Sequence, residues 1–164
     1  MEDNMRRKGV LAIIQARMGS SRLPGKMILP LVHGKGALEL MVERVRRSRL
    51  IDRLIVATTE NPSDEELAGI CARIGIGCFR GSEDDVLDRF HLAYVSTGGD
   101  FDSIVRLTGD CPLHDPAVLD KVISEFLGSD SDYVSNVDPP TYPDGLDTEV
   151  FSSVALEKAW REAK

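Results

Sequence analysis

The sequence lacks the features that mark several common protein classes. No apolar run approaches the roughly 20 residues that a membrane-spanning helix needs, so we expect no membrane partner. Three cysteines without a Cys-x-x-Cys pair, and three scattered histidines, indicate neither a disulfide framework nor a zinc site. The first eight residues lack the apolar core of a secretory signal. We therefore expect a cytoplasmic protein with buried, reduced thiols and with histidines on the surface or in loops.

An excess of positive charge is also missing from the chain as a whole. The 164 residues carry 20 basic and 27 acidic side chains, a net charge of -7 and a pI near 5.0. Nucleic acid is therefore not an expected partner, because sequence-independent binding to its backbone needs a broad basic face. Positive charge is instead concentrated locally: residues 1–30 hold six Lys or Arg, and no carboxylate lies between Lys8 and Leu38. One basic pocket of this kind suits a small anion.

The concentrated charge falls in a loop after the first apolar run. Gly19 and Gly25 permit positive φ and close backbone approach, and successive amides after a strand can hold an anion. Three basic side chains lie in the same loop: Arg17, Arg22 and Lys26. With no acid nearby in sequence, these cations are expected to be uncompensated. The loop therefore predicts a nucleoside triphosphate site, although Gly, Ser and Pro also occur in any solvated turn.

Two common nucleotide-binding motifs do not fit this loop. A Walker A loop has four residues between its glycines and then Lys-Ser or Lys-Thr. Here five residues separate Gly19 from Gly25, Met27 follows the lysine, and Pro24 removes an amide. The dinucleotide fingerprint is absent as well, because the segment 34–36 is followed by no third glycine. A P-loop ATPase and an NAD or FAD enzyme are thus not indicated.

Apolar runs alternate with amphipathic stretches along the chain, which is typical of βαβ units with a mostly parallel sheet. We expect one α/β domain over residues 1–164, with helices on both faces of the sheet. The predicted strands cover 10–15, 54–58, 78–80, 103–108 and 132–135. The predicted helices cover 37–47, 63–74 (begun by a capping box at 63–66), 83–96, 116–128 and 153–164.

A carboxylate follows the strand that ends at Thr108. The chain continues Gly-Asp-Cys-Pro-Leu, so Asp110 lies at the carboxyl end of the sheet, where open parallel sheets bind ligands. Mg²⁺ prefers one or two carboxylates together with substrate phosphates. Asp110 is therefore a candidate magnesium ligand. An Asx turn or a helix cap is the structural alternative, but Asp115 already serves the next helix.

Two segments resemble the cytidylyltransferases that make CMP-activated sugar acids. They are Ile-Gln-Ala-Arg-Met-Gly-Ser-Ser-Arg-Leu-Pro-Gly-Lys at 14–26 and Leu-Thr-Gly-Asp-Cys-Pro-Leu at 107–113. Within these enzymes the sequence most resembles the branch typified by the spore coat polysaccharide biosynthesis protein SpsF. That branch has Gln at the position of Gln15, whereas the KDO and sialic acid enzymes have Pro before Ala-Arg. The segments 81–89 and 142–149 resemble the same branch. The likeness spans almost the whole chain.

The resemblance implies a three-layer, Rossmann-like nucleotidyltransferase fold and an Mg²⁺-dependent enzyme. Such an enzyme transfers CMP from CTP to a hydroxyl of a sugar or sugar acid for surface polysaccharide biosynthesis, and releases pyrophosphate. By motif position, the implied catalytic residues are Arg17, Lys26 and Asp110, with Asp110 as the metal ligand. The implied nucleotide-binding residues are Gln15, Ala16, Arg17, Gly19, Ser20, Arg22, Lys26 and Gly109. The segment 83–89 would border the nucleotide.

The acceptor is expected to face a loop at 136–149. Asp144, Asp147 and Glu149 can accept hydrogen bonds from hydroxyls there, although three prolines in this loop are also consistent with a rigid surface loop.

The resemblance further implies a second metal-binding aspartate in a C-terminal segment. The segment 147–149 is the only similar fragment, so we expect this chain to lack that part of the full fold. Family members commonly dimerise, which makes a homodimer one expected state.

Two alternative functions stay open at this point. A nucleotide-binding module without turnover would bind CTP and release no pyrophosphate. A transferase for another nucleotide is the second alternative, because folds of this group serve users of UTP, GTP and CTP.

Overall fold

A computed structural model describes residues 9–20 and 23–163. It contains a six-stranded sheet with the strands β1 (Val10–Gln15), β2 (Arg53–Thr59), β3 (Gly77–Gly81), β4 (Ser103–Thr108), β5 (Tyr133–Ser135) and β6 (Glu149–Ser152). The helices are α1 (Ala37–Val45), α2 (Glu65–Arg73), α3 (Val86–Ser96), α4 (Pro116–Leu127) and α5 (Ser153–Glu162). A short 3-10 turn, Pro62–Asp64, precedes α2.

The strand order places two carboxyl ends next to each other at the centre of the sheet. The order is β3-β2-β1-β4-β6-β5; the first four strands in the chain run parallel, and β6 runs antiparallel to both of its neighbours. The chain builds outward from β1 to β3 and then returns to place β4 on the other side of β1. This reversal is the topological switch point at which open α/β sheets bind ligands. The predicted mostly parallel sheet is confirmed.

Strand alternation divides the core into two layers. Val10, Ala12 and Ile14 of β1 belong to a buried cluster with α1, α2 and α4. Leu11 and Ile13 point to the opposite face and pack in a cluster with α3 and α5. The predicted three-layer α/β architecture is therefore confirmed, because each face of the sheet buries its apolar side chains under helices.

Several predicted boundaries and orientations were wrong. The loop predicted over 136–149 ends one residue too late, because its last residue, Glu149, begins β6. The helix predicted from 83 begins only at Val86. Helix α5 begins at Ser153, as predicted, and the Ser152 side chain caps it by accepting from the Ala155 amide. Cys78 is exposed rather than buried.

The capping box predicted at 63–66 is also wrong. Asn61 caps the 3-10 turn by accepting from the Ser63 amide, and α2 begins after it. Asp64 turns inward instead and is 1% exposed. Its carboxylate accepts hydrogen bonds from the Met18 amide at 2.7 Å, the Thr58 hydroxyl at 3.1 Å, and the Thr59 amide and hydroxyl at 3.2 and 2.5 Å. These donors compensate a buried charge and tie the loop after β1 to the end of β2.

We expect Asp64→Ala to lower the free energy of unfolding by roughly 2–4 kcal/mol, because its buried donors lose their acceptor. Urea unfolding followed by circular dichroism measures the change. Glu66→Ala, on the exposed side of α2, is the control and should change stability by no more than about 0.5 kcal/mol. Equal losses in the two variants would contradict the anchoring role of Asp64.

Candidate nucleotide-binding site

A cleft of about 270 Å³ lies at the switch point, between the carboxyl ends of β1 and β4. Its wall consists of Gln15, Ala16, Arg17, Gly19, Ser20, Lys26, Met27, Thr108 and Asp110. The basic loop and the aspartate turn, 84 residues apart at Lys26 and Asp110, thus meet in one concavity. The structure brings together the predicted residues of both segments, except that Gly109 is not in the wall and Arg22 lies outside the described residues.

Gly109 acts by close packing. Its amide donates to the Gln15 carbonyl at 2.8 Å. A Cβ at this position would lie 2.9 Å from the Cβ of Ala16, which is closer than real contacts allow. A glycine is therefore required for the turn after β4 to lie against the end of β1. Its contact with nucleotide stays a prediction.

The loop after β1 folds back on itself through backbone hydrogen bonds. Gly25 has a φ of +71° and donates to the Met18 carbonyl at 3.3 Å, as the expected positive φ allows. Gly19 does not adopt the positive φ that a glycine permits. Ser20 also donates to the Met18 carbonyl, at 2.9 Å. Because Asp64 holds the Met18 amide, the loop has a buried anchor at its base.

The two cations of this loop that the structure describes are paired, which corrects the expectation of uncompensated charge for them. Lys26 Nζ lies 2.5 Å from Asp110 Oδ2, and Arg17 Nη1 lies 3.9 Å from Glu83 Oε1. The hydrogen bond from Lys26 holds the pKa of Asp110 below its usual range, although burial acts in the opposite direction. Asp110 is therefore a carboxylate at neutral pH. The Lys26 and Asp110 side chains keep 28% and 40% of their surface exposed, so a ligand can reach both.

An exposed pair of this kind is inexpensive to rearrange. Surface ion pairs contribute about 0–1 kcal/mol, because water screens them and two long side chains must be ordered. A phosphate could therefore replace Asp110 as the partner of Lys26, while Asp110 binds a cation. The cleft is thus suited to binding an anion and a metal ion side by side.

The three predicted acceptor residues line no common cleft in the part of the chain that the structure describes. Asp144 shares a second cleft of about 430 Å³ with Asp110 and the turn after it. The backbone carbonyl of Asp147 lies 3.3 Å from His114 Nε2. Glu149 was predicted to lie in a loop, but it begins β6 and pairs with Arg106 of β4. The side chain of Glu149 lies instead at an apolar cleft between α3 and α5.

Sequence reasoning missed several residues at the site. Met27 and Thr108 line the nucleotide cleft, and Thr108 could have been found as the last residue of β4. His114 lies in a loop, as one of the two expectations for it had it, but it is 1% exposed rather than at the surface, and burial lowers its pKa. Its Nε2 lies 3.2 Å from the Thr148 hydroxyl, so it connects the turn after β4 to the predicted acceptor loop.

Two negative findings concern the described residues 9–20 and 23–163. No group of three or more His, Cys, Asp or Glu side chains there could hold a metal ion by itself. None of the helices in the same part of the chain has the length and apolar character to cross a membrane.

Comparison with known proteins identifies relatives along most of the chain. The cytidylyltransferase family model matches residues 11–164. An uncharacterised protein of Methanocaldococcus jannaschii is 44% identical over 155 residues, which is 94% of this chain and 61% of that protein. The spore coat polysaccharide biosynthesis protein SpsF of Bacillus subtilis is 42% identical over 135 residues, 80% of this chain and 55% of SpsF.

A 3-deoxy-manno-octulosonate cytidylyltransferase of Trichlorobacter lovleyi is 39% identical over 120 residues, 73% of this chain and 46% of that enzyme. The chain thus spans less than two thirds of the length of these relatives.

Solved structures share the fold. A cytidylyltransferase from Leptospira borgpetersenii superposes with a TM-score of 0.87 at 38% identity and covers 95% of this chain and 65% of its own. The CMP:2-keto-3-deoxy-manno-octonic acid synthetase complexed with CTP has a TM-score of 0.73 at 18% identity, over 95% of this chain and 78% of its own, which bears on the fold alone. The chain has a Rossmann-like nucleotidyltransferase fold and belongs to the cytidylyltransferase family.

Proposed function

We propose that the chain binds CTP with Mg²⁺ in the cleft between β1 and β4 and transfers CMP to a hydroxyl of a sugar or sugar acid. The observation that carries the proposal is the meeting of Lys26 and Asp110 at the switch point of the sheet. The names of two relatives, a 3-deoxy-manno-octulosonate cytidylyltransferase and a spore coat polysaccharide biosynthesis protein, support the donor and the acceptor class. A cytoplasmic location and a homodimer stay predictions.

The basic side chains of the cleft would bind the triphosphate. Arg17 is 53% exposed and reaches the cleft from the end of β1, while Lys26 reaches it from the far end of the loop. Phosphate oxygens are stronger partners for both than a single surface carboxylate, since they carry several negative charges. Ser20 adds a hydroxyl donor at the same wall. Arg22, by sequence position, is proposed to assist.

The donor set fits Mg²⁺. Asp110 supplies one ionised carboxylate at the cleft, and Mg²⁺ is usually bound by one or two carboxylates with phosphates and water. When bound, Mg²⁺ would neutralise phosphate charge and favour attack at the α-phosphorus. The residues of this chain would place Asp110 against the triphosphate and hold Lys26 within reach of the same oxygens.

The reaction needs little covalent chemistry from the protein. The acceptor oxygen forms a bond to the α-phosphorus, the bond to the bridging oxygen of the β-phosphate breaks, and pyrophosphate leaves with that electron pair. The hydroxyl proton passes to water. Arg17 and Lys26 would stabilise the charge on the departing pyrophosphate, which is the main contribution expected of positioned cations. We place the acceptor in the second cleft beside Asp110, where Asp144 lies.

A nucleotide-binding module without turnover is the second candidate. It is favoured by the single carboxylate, Asp110, in the described wall of the cleft. Pyrophosphate release distinguishes the two candidates when Mg·CTP is incubated with a panel of sugars and sugar acids. Release that depends on one acceptor supports the transferase. CTP binding without release across the panel supports the module, and comparing CTP with ATP, GTP and UTP in the same protein tests the choice of nucleotide.

We expect Lys26→Ala and Arg17→Ala each to weaken Mg·CTP binding about 10- to 100-fold, because a charged hydrogen bond is worth roughly 1.5–3 kcal/mol. Isothermal titration calorimetry measures the dissociation constant. Lys158→Ala, an exposed lysine on α5 outside the cleft, is the matched control and should bind like the wild type. Wild-type affinity in the two cleft variants would rule out this phosphate site.

Removal of the metal should distinguish the role of Asp110 from the role of the phosphate-binding cations. We expect chelation with EDTA to weaken CTP binding to the wild type, while Asp110→Asn binds CTP equally with and without Mg²⁺. The reason is that the neutral amide leaves no carboxylate ligand in the described cleft wall. Titrating each protein with CTP, with and without Mg²⁺, gives the ratio of the two dissociation constants. If Asp110→Asn kept the Mg²⁺ effect of the wild type, Asp110 would not be the ligand.

A further inference from the structure

Gln15 and Arg106 lie together on one face of the sheet, beside the nucleotide cleft. Alternation along β1 and β4 places both side chains on the α3 and α5 face. Gln15 ends β1 and forms part of the cleft wall. Arg106 Nε lies 3.4 Å from Gln15 Oε1. An arginine from the neighbouring strand therefore contacts a side chain that faces the nucleotide cleft.

Arg106 is itself held from the other side. It stands directly opposite Glu149 in the pairing of β4 with β6. Its Nη1 donates to both carboxylate oxygens of Glu149, at 3.1 and 2.8 Å. The Arg106 and Glu149 side chains are 38% and 22% exposed, which is similar to the exposure of the Lys26–Asp110 pair, but Arg106 contacts both oxygens of its partner. The guanidinium is thus anchored before it meets Gln15.

The chemistry of arginine determines which way the Gln15 amide can face. A guanidinium has donors and no acceptor, so it bonds the oxygen of an amide and repels its NH2 group. With Oε1 bound to Arg106, the NH2 group of Gln15 is the part left for the cleft. An unrestrained glutamine would sample both orientations, and one of them would present an oxygen rather than a donor to the cleft.

We propose that Arg106, anchored by Glu149, is a positioning residue that orients the Gln15 amide so that its NH2 group donates to an acceptor atom of the bound nucleotide. The donor role rests on the nucleotide site proposed above, whereas the orientation of the amide does not. Glu149 thus acts through Arg106, while its contact with the acceptor stays a prediction. Arg106 affects the ligand only by way of Gln15, and this indirect action makes the effects of the two residues non-additive.

Calorimetry of four proteins tests the coupling: wild type, Gln15→Ala, Arg106→Met and the double variant. We expect each single change to raise the dissociation constant of Mg·CTP about three- to tenfold, as for the loss of one hydrogen bond. The double variant should lose no more than Gln15→Ala alone. Arg53→Met, on β2, removes an arginine that bonds the Thr97 carbonyl and should leave the affinity unchanged. Wild-type affinity in Arg106→Met, or losses that multiply in the double variant, would overturn the proposal.

Side-chain amide signals in NMR spectra test the orientation without nucleotide. The Gln15 NH2 pair is assigned by its disappearance in Gln15→Ala. In Arg106→Met we expect the chemical shifts of this NH2 pair to move to the values typical of a solvent-exposed glutamine. In Arg53→Met they should not change, and unchanged shifts in Arg106→Met would overturn the orienting role.

If Arg106→Met does not fold because Glu149 is left unpaired, the double variant Arg106→Met with Glu149→Met removes both charges together. If the wild type binds no nucleotide, the donor role falls with the proposed function, and the NMR result decides the Arg106 contact separately.

Discussion

The close approach of two strand ends is the constraint on which the site depends. The Gly109 amide donates to the Gln15 carbonyl, and no side chain at 109 would fit against Ala16. This contact brings a basic loop and an acidic turn into one cleft, although each belongs to a different βαβ unit. A bulkier residue would separate the two turns and, with them, Lys26 from Asp110. The chemistry of the cleft is therefore a consequence of backbone packing.

The pairing of opposite charges explains how a basic loop and an acidic turn can lie side by side in one cleft. An isolated cluster of cations would repel itself, and an isolated carboxylate would attract stray metal ions. In the Lys26–Asp110 pair each group is neutralised by the other, yet both stay accessible to solvent. A triphosphate with its metal ion brings both kinds of charge and can satisfy the two partners separately. In the function proposed above, binding would therefore require only small rearrangements of the Lys26 and Asp110 side chains.

Buried polar groups hold the parts that surround the cleft. Asp64 anchors the loop after β1 from below, and His114 connects the turn after β4 to the loop before β6. Hydrogen bonds connect Glu149 to Arg106 and Arg106 to Gln15, and they reach the cleft along the α3 and α5 face of the sheet. Each of these groups sits where a buried or half-buried polar atom needs a partner, so the energetic requirement for satisfied hydrogen bonds also fixes the geometry of the site.

The amino-acid sequence alone determined the alternation of strands and helices, the basic loop and the position of Asp110 at a strand end, because these depend on local periodicity and on neighbouring residues. It could not show that Lys26 and Asp110 touch, that Asp64 faces inward or that Glu149 begins a strand. Those facts depend on partners between 5 and 84 residues away, which only the folded chain brings into contact. Charge pairing and burial are long-range properties, and tertiary structure decided them.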